Sequence, residues 1–177
     1  MDESRRVAKI VLILGAAVGL ALVFITPPFQ VPDEDAHFFR AYQASTINLR
    51  LEKRSKYVVG AYLPRSYLHT QLLFRSLTLD RDARVHVSMY KSALCMRDSK
   101  SAFCSPILPY PPVAHIAQAI GMFAGRSAGT PPIVSLYIAR ILNLALFLFM
   151  VTFAIRLMPV LPWGMGFLFI LDLSILV

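Results

Sequence analysis

The stretch TPPFQVPDEDAHFFRAYQ, Thr26 to Gln43, follows a run of almost purely apolar residues and sets three consecutive carboxylates, Asp33, Glu34 and Asp35, at its mouth. Upstream, IVLILGAAVGLALVFIT, Ile10 to Thr26, carries no charge. At a rise of about 1.5 Å per residue, this run with its flanks matches the roughly 30 Å hydrocarbon core of a bilayer. The preceding MDESRRVAK supplies Arg5, Arg6 and Lys9, a start that also suits a cleavable signal peptide. No A-x-A site precedes the polar section, so a retained anchor is expected. The acidic stretch then lies where the chain leaves a membrane. Charge there is costly and needs a reason.

Composition points the same way. The chain has 177 residues, is 56% hydrophobic and carries a formal charge of +8. Its mean hydropathy of +0.59 is too high for an ordinary soluble domain. The basic residues are scattered through one long polar section among Asp and Glu, and no nucleic-acid motif accompanies them, which argues against a nucleic-acid partner. Anionic lipid headgroups or a phosphate-bearing substrate fit better.

Five segments follow. Residues 1–9 are a short charged terminus and 10–26 a first transmembrane helix. Residues 27–130 form a long polar section. A second transmembrane helix covers 131–157, and a third begins at 162–177. Within the polar section, DEDAHFFRAYQAS and SYLHTQLLFRSL read as helices, and INLRLEKR reads as a strand or extended piece. YPPVAHIAQAIGMFAGR starts on a proline pair and ends at Gly125, too short to cross, so it is expected in the membrane interface. The third apolar segment stops at Val177 and contains Asp172, which reads as a truncated helix.

Arg5, Arg6 and Lys9 before the first span, with Arg156 after the second, mark one side as cytoplasmic. The long section is then extracytoplasmic. Its own basic residues weigh little, because the charge rule acts on short loops. Cys95 and Cys104 would close a small loop in an oxidising compartment and stay as thiols in the cytosol. The external placement makes a disulfide the expectation.

Pro32 is expected to open a helix whose first turn holds the three acids. Carboxylates there complement the helix dipole by about 0.3–1 kcal/mol each. At helical spacing Asp33, His37 and Arg40 fall on one stripe, with Glu34 beside it. Carboxylates so held could act as a general base or ligate a divalent cation, and the residues alone leave structure and chemistry both open. Arg140, about two turns into the second span, either snorkels or faces the bundle interior to hold a lipid phosphate. His115 and Gln118 share a face at i, i+3; His69 and His86 have no metal-ligand partners at a telling spacing.

Taken in order, PPFQVPDEDAHFFRAYQ, AYLPRS, LPYPPVAHIAQAIGMFAGR and LYIARILNLALFLFMVTFAIRLMP resemble a family of bacterial multi-spanning proteins, the predicted membrane proteins of domain of unknown function 2142. That family in turn resembles glycosyltransferases of the C superfamily, polytopic enzymes that use polyprenyl-phosphate-linked sugars. The resemblance implies an all-α integral membrane protein, here the N-terminal part of a polytopic helix bundle, with an extracytoplasmic loop subdomain of amphipathic helices. It implies a sugar donor on polyprenyl phosphate, a glycan acceptor in the cell envelope, and the bacterial cytoplasmic (inner) membrane. By position Asp33 matches the catalytic base and Glu34 a supporting or metal-binding acid. His37, Arg40 and Arg140 are candidate substrate contacts, with Arg140 at the phosphate. Relatives often carry proline where this chain has Asp35, which lowers its weight. Relatives also continue through many more spans, so this chain alone is expected to be inactive. The alternative is a non-enzymatic, membrane-anchored binding or assembly component.

Overall fold

A computed structural model describes residues 2–55, 58–80, 82–98, 100–105 and 111–157. The third apolar segment, 162–177, lies outside the described residues, Asp172 included. Among the described residues the protein is mostly helical, about 68%. It divides into two compact units, one of Met1–Thr26 with Arg140–Val177 and the other Pro27–Ala139.

The first unit pairs helix α1, Asp2–Ile25, with most of helix α6, Pro132–Leu157. Both are long and apolar enough to cross a membrane. α6 has the bounds the sequence implies. α1 starts earlier than expected, in the charged leader, where Asp2 and Glu3 suit a helix N-terminus. The helices run antiparallel. Val7, Ala8 and Val11 of α1 cluster with Val151 and Ile155 of α6. Farther along, a Cβ added at Gly15 would meet Leu148 Cδ2 at 2.6 Å, and one at Gly19 would meet Leu144 Cδ1 at 2.5 Å. The GAAVG segment of α1 is thus a small-residue seam that lets two backbones approach, the usual way helices pack in lipid. Outward-facing Ile13, Phe24 and Phe149 stay exposed, as lipid-facing residues should.

The second unit mixes helices with a small sheet, so the all-α expectation is amended. Strand β2, Val59–Pro64, lies between β1, Glu52–Lys53, and β3, Ser101–Cys104, both antiparallel to it. The register pairs Glu52 with Gly60 and Ala61 with Cys104. Gly60 has no room for a side chain beside the Cys104 carbonyl. Helix α3, Arg65–Leu79, leaves β2 directly. Its first free N–H groups, those of Arg65 and Ser66, donate to the carbonyls of Lys100 and Asp98 at 2.8 and 3.2 Å. Helices α2, Glu34–Ser45, and α4, Val87–Leu94, pack around α3 and the sheet, and a 3-10 turn, Pro112–His115, leads into α5, Ile116–Ser127.

The core of this unit is aromatic. Phe29 meets Phe38 edge-on at 5.2 Å, Phe38 lies 5.4 Å from Tyr67, and Phe74, fully buried, meets Tyr90 at 5.2 Å. Such pairs add about 0.5–1.5 kcal/mol beyond burial. α5 lies against the first two turns of α6, where a Cβ on Gly121 would strike the Ala139 backbone at 2.6 Å. Arg126 fastens α5 to the end of α2, donating to the Ser45 carbonyl and hydroxyl at 3.2 and 2.9 Å.

The disulfide expected between Cys95 and Cys104 is not formed. Cys95 caps α4 as an exposed thiol, whereas Cys104 is buried in β3. Sheet pairing faces Cys104 toward the core, and burial, with the nearby Asp35 charge, pushes its thiol up to about 12.

Candidate functional site

The proline-rich entry to the second unit explains why the acids stand together. Pro27 and Pro28 turn the chain, and Phe29 adopts a left-handed φ of 61° that sends its ring into the core. Such a conformation costs a non-glycine residue roughly 1–2 kcal/mol and needs support. Glu34 gives it, since its Oε2 accepts the Phe29 N–H at 2.6 Å. Thr78 of α3 adds a second tie, donating its hydroxyl to the Phe29 carbonyl at 3.1 Å. Glu34 is therefore a structural latch.

Asp33 is not in the first turn of the helix, as the sequence implied. It precedes α2 in a left-handed conformation, φ 60°, with no side-chain cap bond. A short polar side chain tolerates that conformation best. Asp33 faces a cleft of about 550 Å³ together with Asp35. Asp35 accepts the Ala36 N–H at 2.8 Å and lies 3.5 Å from Gln71 Nε2. α3 supplies the opposite wall through Gln71, Arg75 and Thr78. Asp35 and this α3 stripe are what sequence reasoning missed. The signal was present as the spacing i, i+4, i+7 on the polar side of a helix read only for its apolar face.

Of the expected stripe of Asp33, His37 and Arg40, Asp33 precedes helix α2 and its carbonyl accepts the His37 N–H at 3.0 Å. The His37 and His115 rings stand 5.1 Å apart. Arg40 is buried and donates to Gln43 Oε1 at 3.0 Å, while Gln43 donates to the Arg50 carbonyl at 3.2 Å. His115 Nδ1 lies 3.0 Å from Gln118 Oε1. Burial lowers the His115 pKa below its usual value, aided by His37 and Arg40 and opposed by the Gln118 bond. This is a packed polar seam between two helices.

Arg140 has a separate role in the first unit. Its Nη1 donates to the carbonyls of Val23 and Thr26 at 3.1 and 2.9 Å. The cation thus closes the C-terminal end of α1, where unpaired carbonyls and the helix dipole favour it. Among the described residues no group of three or more His, Cys, Asp or Glu side chains is arranged to hold a metal ion. Asp33 and Glu34 do not form a ligand set, because Glu34 is turned toward Phe29 N.

The profile of a family described as "Predicted membrane protein (DUF2142)" matches residues 16–172. This defines a membrane protein, associated with the lipid bilayer, in whose sequence two long apolar helices flank a compact polar unit. The chain belongs to the DUF2142 family of predicted membrane proteins. No curated protein and no solved structure matches it.

Proposed function

We propose that the protein is a membrane glycosyltransferase that takes a sugar from polyprenyl phosphate and transfers it to a cell-envelope glycan. The observation that supports this is the cleft of the second unit, whose lining includes Asp33, Asp35 and Arg75. Attack by an acceptor hydroxyl on the anomeric carbon releases a proton, and Asp33, exposed at the cleft rim, is the base that takes it. Asp35, fixed by the Ala36 N–H and Gln71, orients the acceptor through its hydroxyls. The sugar–phosphate bond breaks with its electrons on the phosphate, and Arg75 stabilises that charge. Arg75 takes the role first given to Arg140, whose guanidinium closes α1. Asp35 replaces Glu34 as the second acid.

The topology proposed with this reading places residues 1–9 in the cytoplasm and the second unit outside the cytoplasmic membrane of a bacterium. An alkaline phosphatase fused within 82–98 is expected to be active. An inactive fusion in an intact protein would remove the topology.

The test of transfer uses the full-length protein in lipid with a labelled polyprenyl-phosphate sugar and envelope acceptors. Asp33→Asn and Asp35→Asn are expected to abolish transfer at unchanged melting temperature. Full activity in the double variant would leave the second reading, a non-enzymatic envelope component. One observation favours that reading: Glu34 and Arg140, the most suggestive charges in the sequence, both hydrogen-bond backbone.

A further inference from the structure

Strand β2 turns Ala61 and Leu63 into the core, so at strand spacing Tyr62 faces outward. Tyr62 is 49% exposed and stands edge-on to its cross-strand partner Phe103, the ring centroids 5.7 Å apart. The Phe103 ring lies across Gly60, where a Cβ would meet its Cζ at 2.8 Å. Cross-strand pairing over a glycine accounts for the two rings. It does not account for the cation beside them.

Arg54, exposed just past β1, sets its guanidinium over the Phe103 ring, 4.4 Å from the centroid. Its Nη2 donates to the Tyr62 hydroxyl at 3.3 Å. Both contacts are with aromatic side chains. Among the described residues no carboxylate pairs with it, and Glu52, two residues earlier, is exposed without doing so. An arginine ordered by rings keeps donors for an anion, and ordering it beforehand lowers the cost of binding. Arg50 and Lys53, also exposed, keep this edge basic despite Glu52.

The occupant's chemistry follows from this set. A half-exposed ring suits the C–H face of a sugar, whose hydroxyls stay in water at the rim. A guanidinium fork suits a carboxylate carried on that rim. The face also leads somewhere. Two residues past Phe103, Ser105 donates its hydroxyl to the Val59 carbonyl at 3.0 Å and lines the cleft. Val59 in turn pairs with Lys53 of β1. A polymer lying on Tyr62 and Arg54 therefore reaches the cleft rim along β3.

We infer that Tyr62, Phe103 and Arg54 form a subsite for a carboxylate-bearing glycan and hold the chain while its end enters the cleft. Its role as acceptor rests on the transfer reading above; its binding does not.

The test is calorimetric titration of the full chain in lipid nanodiscs with short oligogalacturonates, beside neutral maltooligosaccharides and a phosphodiester-linked glycerol oligomer. The oligogalacturonates are expected to bind best. Arg54→Gln and Tyr62→Ala should each weaken them about tenfold. Lys91→Gln, which removes an exposed charge from α4, should leave the affinity unchanged. Because Tyr62→Ala takes a ring from the sheet, Arg54→Lys is added: it keeps the charge, loses the fork and should also weaken binding. Equal affinity for neutral chains, a preference for the phosphodiester, or unchanged affinity in Arg54→Gln would each overturn the inference. Transfer of labelled sugar, read in parallel, separates the two readings. Transfer without oligogalacturonate binding sinks the subsite alone, whereas binding without transfer keeps the subsite and removes its acceptor role.

Discussion

The two units treat charge in opposite ways. In the first, Arg140 sits in an apolar helix, yet its Nη1 bonds the carbonyls that end α1. In the second, Arg75 sits on an exposed helix face and looks into a cleft shared with Asp33 and Asp35. A charge in lipid attracts attention because it is expensive. The cost only requires a partner, and backbone oxygen is partner enough. A charge open to a cleft is solvated at little cost and needs no such partner. The same division runs through the acid triplet, where Glu34 latches a turn while its neighbours line the cleft.

The largest effect expected separates the two units by stability. Phe74 is fully buried at the centre of the aromatic core. Phe74→Ala should cost about 3–5 kcal/mol, the usual range for such a cavity. Proteolysis in lipid is expected to open the second unit while α1 and α6 stay protected. Simultaneous loss of both units would show that they fold as one.

Glycine seams give a finer contrast. At Gly121 the obstacle is the backbone of Ala139, which cannot yield, whereas at Gly19 it is the end of the Leu144 side chain, which can rotate. Gly121→Ala should destabilise by about 1–3 kcal/mol and Gly19→Ala by less. Chemical denaturation of the two variants in the same detergent checks the order.

Next comes the latch. Glu34→Gln keeps the shape but weakens a charge-assisted bond to Phe29 N, a loss of about 1–2 kcal/mol. If the proposed division of roles is right, any fall in transfer by this variant follows its melting temperature. Loss of transfer with unchanged melting would return Glu34 to the chemistry.

The smallest effect is in pH. Burial lowers the His115 pKa from its usual 6.5, so the unfolded chain binds this proton more readily than the folded one. The associated stability is present above about pH 6.5 and declines as pH falls through that value toward the lower folded pKa. His115→Gln should flatten this part of the profile, read as melting temperature from pH 7.5 to 5.5.

Long apolar runs carry their own instruction, so both long apolar helices were legible as helices, α1 adding the charged leader. The helices α2, α3 and α5 were legible from their periodicity. Of the sheet only β1 was legible, inside INLRLEKR; β2, VGAYLP, is held by pairing with a strand some forty residues away. Helix α4 passed unnoticed for the same reason: its eight residues owe their place to packing on α3. Asp33 was singled out by position, but its left-handed backbone was not legible. Asp35 and Arg75 come to line one cleft only once α2 and α3 are docked.

The account rests on the claim that Arg75 faces a phosphate while Arg140 holds the fold. Titration of the full-length protein in lipid nanodiscs with a polyprenyl phosphate tests it directly. Arg75→Gln is expected to weaken binding about tenfold, the equivalent of about 1.4 kcal/mol, at unchanged melting temperature. Arg140→Gln is expected to lower the melting temperature and leave the affinity of the folded protein intact. Unchanged affinity in Arg75→Gln together with lost affinity in Arg140→Gln would contradict the account.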